Sequence, residues 1–152
     1  MLQDIKKVHF VGIGGAGMSA LAKILVENRL DASYPGICLP GGHVEPGESI
    51  VESVIREMRE ETGLTVLHPR LCGIKQFPID GGRYLVFFFK TDAFEGNLIS
   101  SEEGKMEWIP RKELPNIHTV SDFMDMLKVF DQDDLTEFQY VVDGSDWKVV
   151  LK

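Results

Sequence analysis

Apolar residues recur along this chain in short blocks, and turn residues cut those blocks to strand length. Residues 8–13, Val-His-Phe-Val-Gly-Ile, predict a strand that runs into a glycine-rich turn. Residues 23–29 read two ways. Ile24 and Val26 alternate like a strand, while Met18, Leu21, Ala22 and Leu25 keep helical spacing. Residues 31–36 form a loop, and Ile37 to Leu39 is a short strand stopped by Pro40-Gly41-Gly42. Strand patterns return at 65–77 and 83–91, joined as a hairpin around Asp80-Gly81-Gly82. Met106 to Ile109 is another short strand. The tail adds two more, 137–142 and 147–151, around Asp143-Gly144.

Two stretches carry helical periodicity instead. Ser49 and Glu52 form an S-x-x-E capping pair, and Gly63 stands where a C-terminal glycine belongs, so a helix is expected from about Ile50 to about Thr62. Residues 120–130 form a second, amphipathic helix with Val120, Phe123, Met124, Leu127 and Phe130 on one stripe. Mixed strands with two separated helices predict an α+β domain layered as α/β/α around a mixed sheet.

Length and composition narrow the picture. The 152 residues suit a single domain, and a 43% apolar fraction supports a sizeable core. The longest apolar run, Tyr84 to Phe89, is strand-sized and far short of the ~20 residues that span a bilayer. Lys6 and Lys7 precede an apolar stretch, but Gly12, Gly14, Gly15 and Gly17 interrupt it, which argues against a secretory signal. Cys38 and Cys72 lack metal-type spacing and read as reduced thiols of a cytoplasmic protein. A formal net charge of −8 disfavours nucleic-acid polymers, although small phosphorylated ligands remain accessible through a divalent cation.

The chemistry concentrates between Gly42 and Leu64. On a helix Glu57, Glu60 and Glu61 are i, i+3 and i+4, so all three are expected to point the same way. At ~100° per residue their mean direction lies roughly 120° from the stripe of Val51, Val54, Ile55 and Met58. Like charges on one turn repel by a few tenths of a kcal/mol (~0.2–0.5) per pair. Arg56 and Arg59 offset part of this from the side of the cluster. A hard cation such as Mg²⁺ or Mn²⁺ is the natural compensation. Pro40-Gly41-Gly42 and Pro46-Gly47-Glu48 frame a glycine-rich loop whose backbone can approach a metal or a phosphate.

Residues 42–64 resemble the Nudix box, G-x5-E-x7-R-E-U-x-E-E-x-G-U with U apolar. Gly42, Glu48, Arg56, Glu57, Met58, Glu60, Glu61, Gly63 and Leu64 match every specified position. The likeness extends more loosely over residues 24–152 and looks closest to MutT-type members acting on nucleoside triphosphates, including oxidised purine nucleotides. The resemblance implies that Glu57, Glu60, Glu61 and the Gly41 carbonyl coordinate Mg²⁺. One glutamate, Glu57 first among them, would serve instead as general base. It implies that Glu48 and Arg56 hold loop and helix in register. A fourth carboxylate would come from a later loop: Glu102, ahead of Trp108, with Glu103 as its alternative.

The implied reaction is attack of water on a phosphorus atom, with a glutamate taking the proton. The substrate would be a nucleoside triphosphate resembling 8-oxo-dGTP, giving a monophosphate and pyrophosphate. ADP-ribose or a nucleotide sugar is the second enzymatic reading, and a non-catalytic Nudix-fold binding module the third. Nudix relatives are often homodimers.

The N-terminal segment, residues 1–23, is atypical for that family. Residues 7–27 resemble the start of UDP-N-acetylmuramate–alanine ligase, where Gly12-Ile13-Gly14-Gly15-Ala16-Gly17 would begin a nucleotide-binding Rossmann domain. The remaining βα units of such a domain are missing. Phe87, Phe88 and Phe89 are expected to pack on both faces of a strand, His43 to pack or meet solvent, and His9, His68 and His118 show no ligand spacing. Trp108 and Tyr34 are the aromatics expected to face a base.

Overall fold

Strand β2, Lys23–Arg29, resolves the ambiguity at its position through burial on both sides. Ile24, Leu25 and Val26 are each nearly inaccessible. A helix with one apolar stripe cannot bury three consecutive side chains, whereas a strand between two cores does so naturally. The structure, a computed structural model, describes residues 5–11 (as backbone), 23–30, 32–33, 35–102 and 104–152. The glycine-rich segment 12–22, Tyr34 and Glu103 lie outside the described residues.

Among the described residues the order is β1 (Ile5–Val11), β2, β3 (Gly36–Cys38), α1 (Ile50–Thr62), β4 (Leu64–Leu67), β5 (Arg70–Ile79), β6 (Gly82–Lys90), β7 (Ala93–Gly96) and β8 (Gly104–Pro110). A 3-10 helix (Arg111–Asn116), α2 (Phe123–Asp131), β9 (Glu137–Asp143) and β10 (Asp146–Leu151) follow. A mixed five-stranded sheet runs β1-β6-β5-β9-β10, a three-stranded sheet runs β3-β2-β8, and β4 pairs with β7. β1 lies parallel to β6 and β5 parallel to β9, while the β5–β6 and β9–β10 hairpins are antiparallel.

Alternation along β2 and β6 separates two cores. Ile24, Val26, Val86 and Phe88 join Phe123, Leu127, Phe130 and Phe138 around α2. Leu25, Phe87 and Phe89 join Val54, Met58, Leu64 and Met106 around α1. The result is helix, sheet, helix: the α/β/α layering with a mixed central sheet that the pattern predicts. Phe88 faces one core while Phe87 and Phe89 face the other.

Several boundaries differ from the sequence reading, each for a local reason. The stretch expected as one strand at 65–77 breaks into β4 and β5 at His68, whose φ of 50° turns the chain. α2 starts at Phe123 rather than Val120, because Asp122 adopts φ 58° and cannot continue a helix backwards. Val120 is still buried, held by its amide on the Ile37 carbonyl at 3.0 Å. On α1 the apolar stripe is narrower than expected: Val54 and Met58 are buried, but Val51 is exposed. Among the described residues no helix is long and apolar enough to cross a membrane.

Candidate active site

The loop from Gly41 to Glu48 and helix α1 form one hydrogen-bonded unit. Ser49 caps the helix by accepting from the Glu52 amide at 3.1 Å, and Glu52 returns the bond to the Ser49 amide at 2.8 Å. At the other end Gly63 adopts φ 73°, a left-handed conformation that suits glycine, and its amide closes on the Arg59 carbonyl. Both ends are thus set by local chemistry, and the helix matches its expected span of residues 50–62.

Glu48 anchors the loop. Its carboxylate accepts from the Glu45 amide at 2.7 Å, the Ser53 hydroxyl at 2.6 Å, and Nε and Nη2 of Arg56 at 3.0 and 2.6 Å. The Arg56 guanidinium, then Ser53 and the Glu45 amide, hold its pKa down at about 2. Arg56 reaches further than the sequence suggests. It donates to the His43 carbonyl at 2.9 Å and pairs with Glu57 at 3.0 Å and Glu60 at 3.2 Å. Arg56 therefore stands at the centre of the carboxylates rather than to their side, and its hydrogen bonds to Glu48 first, then to Glu57 and Glu60, push its own pKa upward.

The three glutamates do not converge as expected. Glu57 and Glu61 turn toward the loop: Glu57 accepts from the His43 amide at 3.1 Å, and the buried Glu61 accepts from the Gly41 amide at 3.2 Å. Glu60 instead lies out in solvent against Arg56, its side chain 60% exposed. It meets Arg56 at i+4, on the same guanidinium nitrogen that Glu57 contacts. Among the described residues no three His, Cys, Asp or Glu side chains are gathered closely enough to hold a metal ion.

The donor chemistry nevertheless suits a hard divalent cation. Glu57 and Glu61 present carboxylate oxygens on one side of a glycine loop, and Mg²⁺ commonly takes one or two protein carboxylates with water and phosphate completing its shell. The space fits as well: a Cβ on Gly42 would run into the Glu57 carboxylate, so only glycine lets that group lie against the loop. Glu102 is exposed in the segment before β8 and makes no hydrogen bond or ion pair to the described residues. Its segment is tied to the end of α1 through the Ile99 amide, which donates to the Thr62 carbonyl at 2.9 Å.

Nothing in the pattern of residues signals that Glu27 and Cys38 meet. They are register partners on β2 and β3, and the Cys38 thiol donates to the buried Glu27 carboxylate at 3.5 Å. Burial first, then the Glu27 charge, pushes the thiol up to about 12, and Glu61 adds a smaller push in the same direction. Glu27 stands out in the sequence only as a charge completing the apolar block Ile24-Leu25-Val26.

Aromatic residues gather in two places, and Tyr34 lies outside the described residues. Trp108 stacks on Phe94 at 5.4 Å and packs against the core under α1. On the five-stranded sheet Phe77 stacks on Tyr84 at 4.7 Å and 9°, with Tyr140 and Trp147 edge-on at 6.3 Å. The Tyr84 hydroxyl lies 3.5 Å from Nε2 of His43, which joins this aromatic face to the loop.

A family model of the NUDIX domain matches residues 19–128. This chain belongs to the Nudix family. An uncharacterised Nudix hydrolase of Bacillus subtilis is 43% identical over 84 residues, covering 51% of this chain and 53% of that protein. An ADP-ribose pyrophosphatase of Methanocaldococcus jannaschii is 34% identical over 99 residues, covering 62% and 59%. The chain thus spans little more than half the length of these Nudix relatives. The crystal structure of the MutT mutator protein of Bacillus halodurans superposes with a TM-score of 0.68 at 26% identity, covering 95% of this chain and 94% of that one. The α/β/α layering is accordingly a Nudix fold.

Proposed function

We propose that the chain is a Mg²⁺-dependent pyrophosphohydrolase that cleaves a nucleoside triphosphate, dGTP or its 8-oxo form, to a monophosphate and pyrophosphate. The observation that carries this reading is the loop-helix unit. Arg56 locks Glu48, Glu57, Glu60 and the His43 carbonyl together, while loop amides aim Glu57 and Glu61. Such an arrangement holds acidic oxygens rigidly at a glycine loop, which a merely solvated acidic face has no reason to do.

Glu57 and Glu61 would hold the cation, with Glu60 and the Gly41 carbonyl as further oxygen donors. When bound, Mg²⁺ or Mn²⁺ would neutralise phosphate charge and acidify water. The protein's own groups do the rest. One glutamate, Glu57 first among them, would instead accept the proton of the attacking water, and Arg56 keeps that side chain in place. The glycine loop lets the substrate's phosphates approach the backbone. Late-loop Glu102 is proposed as an additional acidic group at the C-terminal end of α1.

Likeness to a putative 8-oxo-dGTP diphosphatase of Bacillus subtilis, 32% identical over 93 residues, favours a triphosphate. The Methanocaldococcus relative supports a second reading, hydrolysis of ADP-ribose. A panel of dGTP, 8-oxo-dGTP, dATP, ADP-ribose and a nucleotide sugar, assayed with Mg²⁺ and with EDTA, separates the two by product. Pyrophosphate with a monophosphate supports the triphosphate reading, and AMP with ribose 5-phosphate supports the other. Absence of turnover on every compound by folded protein would overturn both and leave a binding module.

A further inference from the structure

Lys75 lies on the aromatic face of the five-stranded sheet. Its Nζ stands 5.0 Å from the Tyr140 ring centre, 5.1 Å from Phe138 and 6.0 Å from Phe77. Burial among these rings lowers its pKa, partly countered by Asp122. Yet Lys75 forms no ion pair and donates no hydrogen bond among the described residues. Asp122 is already engaged, accepting from the Tyr140 hydroxyl at 2.6 Å. A half-buried ammonium among ring faces, with only the longer-range charge of Asp122 to favour it, is costly, and Met or Leu would pack there without the penalty.

The position explains the cost. The Phe77–Tyr84 stack leads from Lys75 to His43 in the loop of the proposed active site. At the outer end Trp147 meets Tyr140 edge-on at 5.6 Å and stays half-exposed, so the face is open to solvent there. Flat apolar walls suit a planar ring, and an ammonium offers three donors and no acceptor.

We propose that Lys75 is a specificity-determining residue that selects 6-oxopurine bases, resting on the reading above that the substrate is a nucleotide. Guanine presents two acceptors, O6 and N7, along the edge that such a cation can reach, and its 8-oxo form keeps O6 there while N7 becomes a donor. Adenine presents a donor amine in place of O6, which an ammonium cannot satisfy. The base lies against the aromatic face while its phosphates extend toward the Gly41–Glu48 loop.

The test measures dGMP and dAMP binding by calorimetry, and Mg²⁺-dependent dGTP and dATP hydrolysis, for wild type and Lys75→Met. Wild type should favour dGMP by about tenfold or more. The variant should lose that preference through weaker dGMP binding, with dAMP affinity changed less than about twofold, kcat/KM falling selectively for dGTP, and no drop in Tm. Removing an uncompensated charge should not weaken the fold, so an unchanged preference with a lower Tm would mark a structural cation and overturn the proposal. Equal loss of dGMP and dAMP would assign Lys75 to the phosphate or sugar and overturn it too, as would equal binding of both nucleotides by wild type. Selective dGMP binding without hydrolysis of either triphosphate would sink the hydrolase reading while leaving the base assignment standing.

Discussion

The carboxylate of Glu57 occupies the space where Gly42 has no side chain, and the amide of the next residue, His43, donates to it at 3.1 Å. Gly42 does not need a left-handed φ; its requirement is the close approach of Glu57. Gly42→Ala should therefore leave the backbone intact and displace the Glu57 side chain. Stability should change by less than about 1 kcal/mol, while kcat/KM falls about 100-fold or more. Thermal denaturation alongside steady-state kinetics checks this, and unchanged kinetics would dissociate Glu57 from the reaction.

Arg56 joins two sequence-distant halves of the loop-helix unit through a two-pronged contact to Glu48 and three further partners. A lysine keeps the charge but loses the fork. Arg56→Lys should cut kcat/KM by about 10- to 100-fold through misplaced carboxylates. Melting should drop by ~2–8 °C, corresponding to about 1–2 kcal/mol of lost charged hydrogen bonds. Restoration of activity by lysine would reduce the role of Arg56 to charge alone.

The depressed Glu48 pKa makes stability depend on pH in a defined direction. Its folded value of about 2 lies below the ~4.3 of an unfolded glutamate. The unfolded chain takes up the proton first, so the stabilisation is present above about pH 5 and is lost as pH falls toward 2. Urea unfolding between pH 5 and pH 2.5 should show a steeper loss for wild type than for Glu48→Gln. Parallel curves would contradict the contact network.

How far the sequence could be read follows from the range of each interaction. The ends of α1 were legible because Ser49, Glu52 and Gly63 act within their own turns. The strand at 23–29 was not, since its identity depends on two cores assembled from distant segments. β7, Ala93–Gly96, was missed altogether: its four residues carry no clear alternation, and pairing with β4 defines it. The site divides the same way. Glu48, Arg56 and Glu57 could be placed from fixed spacing along one loop and helix. The outward placement of Glu60 is a side-chain arrangement among several partners of Arg56, and Cys38 beside Glu27 is a register between two strands. Neither leaves a periodic trace.

The thiols offer a check on the electrostatics of the interior. Burial pushes Cys38 up to about 12 and Cys72 up to about 11. Only thiolate attacks a disulfide reagent. At pH 8 native protein should therefore react with Ellman's reagent about 100- to 1000-fold more slowly than denatured protein, in which both cysteines approach the ordinary value of ~8.5. Rapid labelling of Cys38 in folded protein would show that its pocket beside Glu27 is open and wet.

The carboxylates of α1 are proposed to drive metal-dependent cleavage, and Glu61→Gln tests whether they do. Glutamine keeps an oxygen to accept the Gly41 amide, so folding should be preserved and Tm should shift by no more than a few degrees (~2–4 °C). kcat/KM for Mg²⁺-dependent hydrolysis of the best nucleotide in the panel should fall about 1000-fold. Full activity in the folded variant would contradict the assignment of this site.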